Sequence, residues 1–392
     1  MAVLRIDDDQ RRARLAWRHR LVPETRVDDP VRITRSVVAL HASDPATVHL
    51  TVVARMETPR VEATEQALYD DRTLVRMLGM RRTMFVVPTG LVATVQASSS
   101  NDVAAGQRRQ LVRAIAANGI ADADGWLRRL EAATLAALVA HGGAHTSELS
   151  ELVPELRHTI TVGSGRWTTE VRMASRVLLL LAADGHVVRG RPRGTWLSSQ
   201  YRWIPTSQWL GHDVDELDPE AARAGLARRW LARFGPATFD DLMWWTGWTR
   251  TRVRRAVAEL DTVGVELDDG AVGLVLADDV DPVPEPPPWA ALLPGLDPTP
   301  MGWKTRGWYL GPHHGAVFDS TGNVGPTVWW NGRIVGGWTQ QPDGTIVHRL
   351  LTDIGADGAA AVEAEATRLQ PHLVGTAVTP RFRSPLDRKL RP

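Results

Sequence analysis

Three side chains able to do chemistry stand within four residues of one another: His41, Ser43 and Asp44, in LHASDP. An imidazole with an ordinary pKa of about 6.5 can hold a water and accept its proton. A hydroxyl two residues on can share that water or bond the ring. Positions i and i+2 do not share a face inside a helix. His41 and Ser43 therefore converge only if a helix ends between them, and Asp44-Pro45 says that it does. His41 closes the apolar stretch VVAL and reads as a helix C-terminus, where the dipole favours imidazolium by ~0.3–1 kcal/mol; a cationic ligand would push the other way. Its bland reading is a buried histidine bonded to backbone. Asp44 is either an N-cap with Pro45 at the first helical position, or a carboxylate that stabilises a developing cation. His49, further along, reads as structural.

The elements that must position these groups follow from periodicity. PEAARAGLARRWLARF is helical and ends at Gly235-Pro236. Thr238 with Asp241 forms a capping-box pattern that starts a second helix, and Gly247 stops it. Thr249 caps RTRVRRAVAEL, and TVGVEL, DDG and AVGLVL read as strand, turn and strand. Three helices and a hairpin make a winged helix-turn-helix. The pattern recurs upstream: a helix over 126–141, a short helix in TSELSELV, and a long one in TTEVRMASRVLLLLAADG. A hairpin follows, with Pro192-Arg193-Gly194 as its turn and Arg189, Arg191 and Arg193 on its wing. The N-terminal block gives helices near 10–20, 30–42, 45–56 and 60–69, then a hairpin in TLVRMLGMRRTMFVVP with Arg81 and Arg82 near the turn. After an acidic, Pro-rich linker (278–292), GAVFD, PTVWW and RIVGGW read as strands, with Asn331-Gly332 as a hairpin turn. A helix near 356–370 and a basic tail finish the chain. The expected class is α+β: three tandem winged-helix units (1–110, 111–215, 216–280) and a C-terminal β-rich module (281–392).

Composition narrows the chemistry. The chain has 392 residues and no cysteine, which excludes disulfides, thiolate nucleophiles and Cys-based zinc sites. The histidines form no HExxH pattern, so no metal and no cofactor is expected. No apolar run approaches the ~18 residues of a membrane span, and the N-terminus has no apolar signal core; a cytoplasmic protein with no membrane partner is expected. Net charge is +1, with only Lys304 and Lys389 among the cations that are not Arg. Arg suits bidentate phosphate contacts, and a near-neutral total still permits a basic cleft. The candidates are the two wings above, the Arg250, Arg252 and Arg254 face of TRTRVRRA, and Lys304 and Arg306 in DPTPMGWKTR. Asp297 lies in the same loop, and Lys304 reads as a phosphate contact or as the amine of a lyase. The sixteen tryptophans read as core and seam fillers, with base stacking possible for one or two.

VVALHASDPATVHLTVVARM, RTLVRMLGMRRTMFVVP, the FGPATFDDLMWWTG region and LLPGLDPTPMGWKTRGWYLGPH…GNVGPTVWWNGRIVGGW resemble the AlkZ-like winged-helix DNA glycosylases, in order over roughly residues 10–370. The resemblance implies a C-shaped basic cleft for duplex DNA carrying alkylated purines and metal-free hydrolysis of their N-glycosidic bond; a monomer is expected. The family's catalytic motif is Gln-x-Gln or Gln-x-Asp; the matching positions hold His41 and Ser43, so this sequence departs at both. A purine alkylated at N7 is already a good leaving group. Its hydrolysis needs a positioned water, a proton acceptor and favourable dipoles near C1′, roles that His41, Ser43 and Asp44 would divide. The alternative is a DNA-binding protein without catalysis, a regulator or a lesion-shielding factor.

Overall fold

The computed structural model describes residues 4–163, 168–373 and 375–391. In the first unit the helix expected over 30–42 stops at Ser36. Val38 takes a left-handed φ of 65°, and Leu40–His41 become a strand, β1. β2 (Leu74–Leu78) and β3 (Met84–Pro88) form the expected hairpin, and β1 joins its far side to give the order β1-β3-β2. Two β-branched residues before Ala39 favour leaving the helix, and pairing with Phe85 and Val86 rewards it. Arg81 and Arg82 form the hairpin tip, both at positive φ (53° and 59°), the conformation a tight hairpin turn demands.

The second unit has helices Ala123–His141 and Thr146–Leu152, followed by Met173–Ala183. The long helix expected from Thr168 begins only at Met173. Thr169–Arg172 is a strand, β5, paired with β4 (Thr159–Val162). Alternating β-branched residues with a waiting partner strand win over helix propensity there. β6 (Val187–Pro192) and β7 (Tyr201–Pro205) form the antiparallel pair expected as this unit's wing. Pro192-Arg193-Gly194 is not a tight turn: Pro192 pairs with Tyr201, and residues 193–200 connect the strands.

The third unit follows the sequence closely: helices Pro219–Phe234, Phe239–Thr246 and Arg250–Ala258, then β8 (Thr262–Glu266) and β9 (Val272–Leu276). The Thr238–Asp241 capping box is present, and Gly247 ends its helix at φ 76°. A single bridge recurs in both later units, Ala144 to Trp203 and Ala237 to Leu274, where β1 pairs with β3 in the first.

The N-terminal helix, Asp8–Arg18, does not keep to the first unit. Arg14 donates to the carbonyls of Asp279 and Asp281, and Arg18 pairs with Asp279 at 2.6 Å. Ile6 packs with Val265, Leu267 and Val275. The linker is thus strapped along this helix, as Trp17 and Gln10 bonding Pro284 and Val283 also show.

The C-terminal module is an antiparallel sheet of β10 (Ala290–Leu293), β11 (Thr327–Trp330), β12 (Arg333–Gln340) and β13 (Ile346–Leu350), in that order. Asn331-Gly332 turn as expected, at φ 45° and 78°. GAVFD is not a strand: His314–Val317 is one helical turn, and Phe318 only bridges to Val324. Helix Gly355–Leu369 and the sheet enclose a second core on Ala46, Leu50 and Val53 of helix Pro45–Val53. Trp230, Phe234, Trp245, Trp303, Trp308, Tyr309 and Trp329 form a run of touching rings from the third unit into the module. The tryptophans among them are seam fillers, each desolvating a large flat area.

Candidate functional site

β1 places His41 opposite Phe85, their ring centres 5.4 Å apart, and Phe85 in turn touches Trp245 of the third unit. His41 is 6% exposed. It lies on a strand rather than at a helix C-terminus, so no helix dipole favours its cation. Burial, and after it the charge of Arg81, hold its pKa down to about 3, so the ring is neutral at pH 7. Its Nδ1 accepts a long 3.5 Å bond from the Ser43 amide, which leaves the ring proton on Nε2. Among the described residues no hydrogen bond holds Nε2, and unlike both nitrogens of His49 it is not sealed from solvent. Ser43 is half-buried, and among the described residues its hydroxyl has no hydrogen bond.

Asp44 is tied down. One carboxylate oxygen accepts from Ala46 N at 3.0 Å as the N-cap of helix Pro45–Val53; the other accepts from Arg381 N at 2.8 Å. Both oxygens thus serve the backbone, which supports the capping reading. His49 is buried, with the Val61 backbone beside its ring and Trp196 5.1 Å away.

The other units show what is special at this junction. In the second, the bridging Ala144 directly precedes the cap residue His145; in the third, Ala237 directly precedes Thr238. In the first, the ladder runs through Leu40 and His41, Ala42 N still donates to Met84 O at 2.8 Å, and Ser43 is interposed before the cap. The His-x-Ser stretch is therefore longer than the repeated pattern needs.

The candidate cations fall into two groups. Arg191 pairs with Asp70 at 2.8 Å and Arg193 with Glu148 at 3.0 Å. Arg252 pairs with Asp102, while Arg250 and Lys304 share Asp240. These are exposed pairs, each worth little in water and open to exchange for a phosphate. Arg81, Arg82, Arg189, Arg254 and Arg306 have no carboxylate partner among the described residues. Arg82 and Arg254 are exposed. Arg81 and Arg306 lie over Trp244, 4.2 and 4.7 Å from its centre. Burial first, and then Arg306, lower the Arg81 pKa to about 10. Arg189 does not stand free on a wing but lies on Tyr201 and Trp203.

Asp297 is no ligand contact: it is fully buried and receives both terminal nitrogens of Arg55 at 2.8 Å. Arg76 and Arg381, which are not among the candidates named from sequence, donate to the carbonyls of Ala42 and Ser43. Arg76 carried a signal, a lone charge inside the apolar strand LVRML; Arg381, in a tail 338 residues from Ser43, carried none. Among the described residues no group of three or more His, Asp or Glu side chains is placed to hold a metal ion, and no described helix is long and apolar enough to cross a membrane.

No curated protein matches the chain. Among solved structures, the DNA glycosylase AlkZ of Streptomyces sahachiroi shares its fold: the TM-score is 0.72 at 20% identity, over 95% of this chain and 98% of that one. The family model described as DNA glycosylase AlkZ-like matches residues 34–372. That span holds the repeated units apart from the N-terminal helix and the start of helix Pro30–Ser36, and it includes the His41–Ser43 junction. The chain belongs to the AlkZ-like DNA glycosylase family.

Proposed function

We propose that this protein is a monofunctional glycosylase that hydrolyses the N-glycosidic bond of bulky N7-alkylated purines in duplex DNA. Its three repeated units are read as winged helices that line a basic cleft. What carries the reading is His41: an imidazole kept neutral by burial, with one nitrogen open, two residues from a free hydroxyl. A cationic purine and an oxocarbenium-like sugar would be repelled by imidazolium, so a neutral ring suits them. With its proton on Nε2, His41 donates a hydrogen bond to the attacking water, and the Ser43 hydroxyl accepts one from it; the C1′–N9 bond breaks with its electron pair leaving on the purine, water oxygen bonds C1′, and the proton that water then sheds passes to solvent. A group of pKa about 3 is a poor proton acceptor at pH 7, so His41 serves as positioner rather than as base. Asp44 serves as cap, with its charge contributing a field near the site.

The test is release of free base from DNA treated with several N7-alkylating agents. Wild type is expected to release base, and His41→Ala to release it on the order of 10²-fold more slowly, the cost of a misplaced attacking group, with duplex affinity nearly intact. Equal single-turnover rates would remove His41 from the chemistry. The replacement of both glutamine positions of the family motif by His41 and Ser43 favours a second reading, a lesion-binding protein without catalysis. Tight binding of treated DNA with no base released from any lesion would establish that reading instead.

A further inference from the structure

The two faces of the β1-β3-β2 sheet carry different chemistry. Leu40, Val86 and Arg76 stand side by side across it, so Arg76 points to the face opposite His41 and Phe85. Arg76 is 1% exposed. It donates to Ala42 O at 3.0 Å, lies 5.0 Å from the Tyr201 ring centre, and has an unpartnered Nε. Arg189 covers the same ring at 5.4 Å, and its Nε is also sealed without a partner. The Tyr201 hydroxyl is buried and unbonded as well. Arg381 arrives from the C-terminal tail. Its backbone N–H holds Asp44 and its Nη1 donates to Ser43 O at 3.3 Å, while the residue remains exposed.

Burial first, then the charge of Arg76, with Arg381 adding to it, holds Arg189 down to about 10. Among the described residues none of these three guanidinium groups has a carboxylate partner, although Arg191 and Arg193 on the same wing each have one. Buried charges are normally paired, and an anion would give Arg76 and Arg189 that pairing. A guanidinium fork with a hydroxyl donor beside it matches phosphate oxygens. The position, against the carbonyls of Ala42 and Ser43, is one step from the hydroxyl that the proposed reaction uses.

We propose that Arg189 and Arg381, backed by Arg76 and the Tyr201 hydroxyl, form a seat for one backbone phosphate of the DNA strand that passes Ser43. The proposal rests on DNA being the ligand. Arg381 lies beyond the residues that the family model matches.

Arg381→Gln is the principal variant, because the side chain is exposed and its loss leaves the core intact. Affinity for an undamaged duplex is measured against salt, and a single methylphosphonate is moved along one strand. The seat predicts that the slope of log K against log[salt] falls by about 0.9 in the variant, the loss of one phosphate contact. It also predicts one methylphosphonate position that weakens wild type and leaves Arg381→Gln unaffected. An unchanged slope, or equal sensitivity of both proteins at every position, overturns it. Inorganic phosphate separates the sources: if it raises the Tm of wild type above a chloride control of equal ionic strength while the slope is unchanged, the group holds a free anion and the strand assignment is wrong. Base release on the same preparations is a separate readout. Its absence would sink the glycosylase reading while a reduced slope still stood.

Discussion

Burial decides the charge of His41, and that has a kinetic signature. A folded-state pKa of about 3 against an ordinary 6.5 keeps the ring neutral through the working range. The single-turnover rate of base release is therefore expected to show no inflection near pH 6.5. A step there in wild type that vanishes in His41→Ala would mean that the ring gains a proton in the complex and acts as base. Ser43→Ala removes one hydrogen bond to the same water, ~0.5–1.5 kcal/mol. The expected slowing is about two- to twelvefold, milder than for His41, and a rate loss as large as that of His41→Ala would promote the hydroxyl to the main role. Asp44 is read differently because both its oxygens already serve backbone donors. Asn can still cap the helix, so Asp44→Asn is expected to fold, and normal stability with lost activity would make the charge itself catalytic.

The second unit's wing shows how an element divides its side chains. Arg191 and Arg193 are exposed in ion pairs, whereas Arg189 is packed on Tyr201 and Trp203. Arg191→Ala and Arg193→Ala are each expected to change stability by less than ~0.5 kcal/mol. Arg189→Ala should cost more, because a cation lying on two rings contributes about 0.5–2 kcal/mol beyond its packed stem. Urea unfolding of the three single variants checks the order; equal midpoints would place Arg189 in solvent with its neighbours. The junction before helix Pro45–Val53 is held from a different quarter. The C-terminal sheet and helix Gly355–Leu369 pack on Ala46, Leu50 and Val53, so the module fixes the helix that His41 and Ser43 lead into.

Over the whole molecule, three buried histidines set the acid limit. His19, His41 and His49 all have folded pKa values depressed below 6.5, each chiefly by burial. Between the folded and unfolded values the unfolded chain binds more protons, so stability rises with pH there and is lost as pH falls from about 6.5 toward 3. Each histidine adds a slope of up to about 1.4 kcal/mol per pH unit. The urea midpoint is expected to fall between pH 6.5 and 4.5, before most carboxylates titrate; a flat midpoint over that window would show that the three rings are hydrated in solution. In the proposed complex DNA binding belongs to the same scale, because the candidate cations come from all three units. Meeting ~6–10 phosphates should cost 10³–10⁵ in affinity between 50 and 200 mM salt. An affinity insensitive to salt would remove the duplex from the reading.

Local sequence determined what local physics governs. The Thr238–Asp241 box, the Gly247 stop, the Asn331-Gly332 turn and the Asp44-Pro45 cap were all legible because each is fixed by residues within a few positions. The third unit was readable for the same reason, and so was the β2–β3 hairpin. The resemblance carried by longer stretches named the family. What remained illegible depended on partners far along the chain. VVALH reads as helix until β3 offers its edge, and TTEVR reads as helix until β4 does. The charge of His41 followed from that strand, because only the strand turns the ring into the interior against Phe85. The roles of the arginines were decided the same way. A guanidinium on a wing looks free in sequence, yet a carboxylate from the first unit claims Arg191 and two rings claim Arg189. Arg381 meets Ser43 across 338 residues, and no local pattern can report a contact whose energy is earned only when the chain closes on itself.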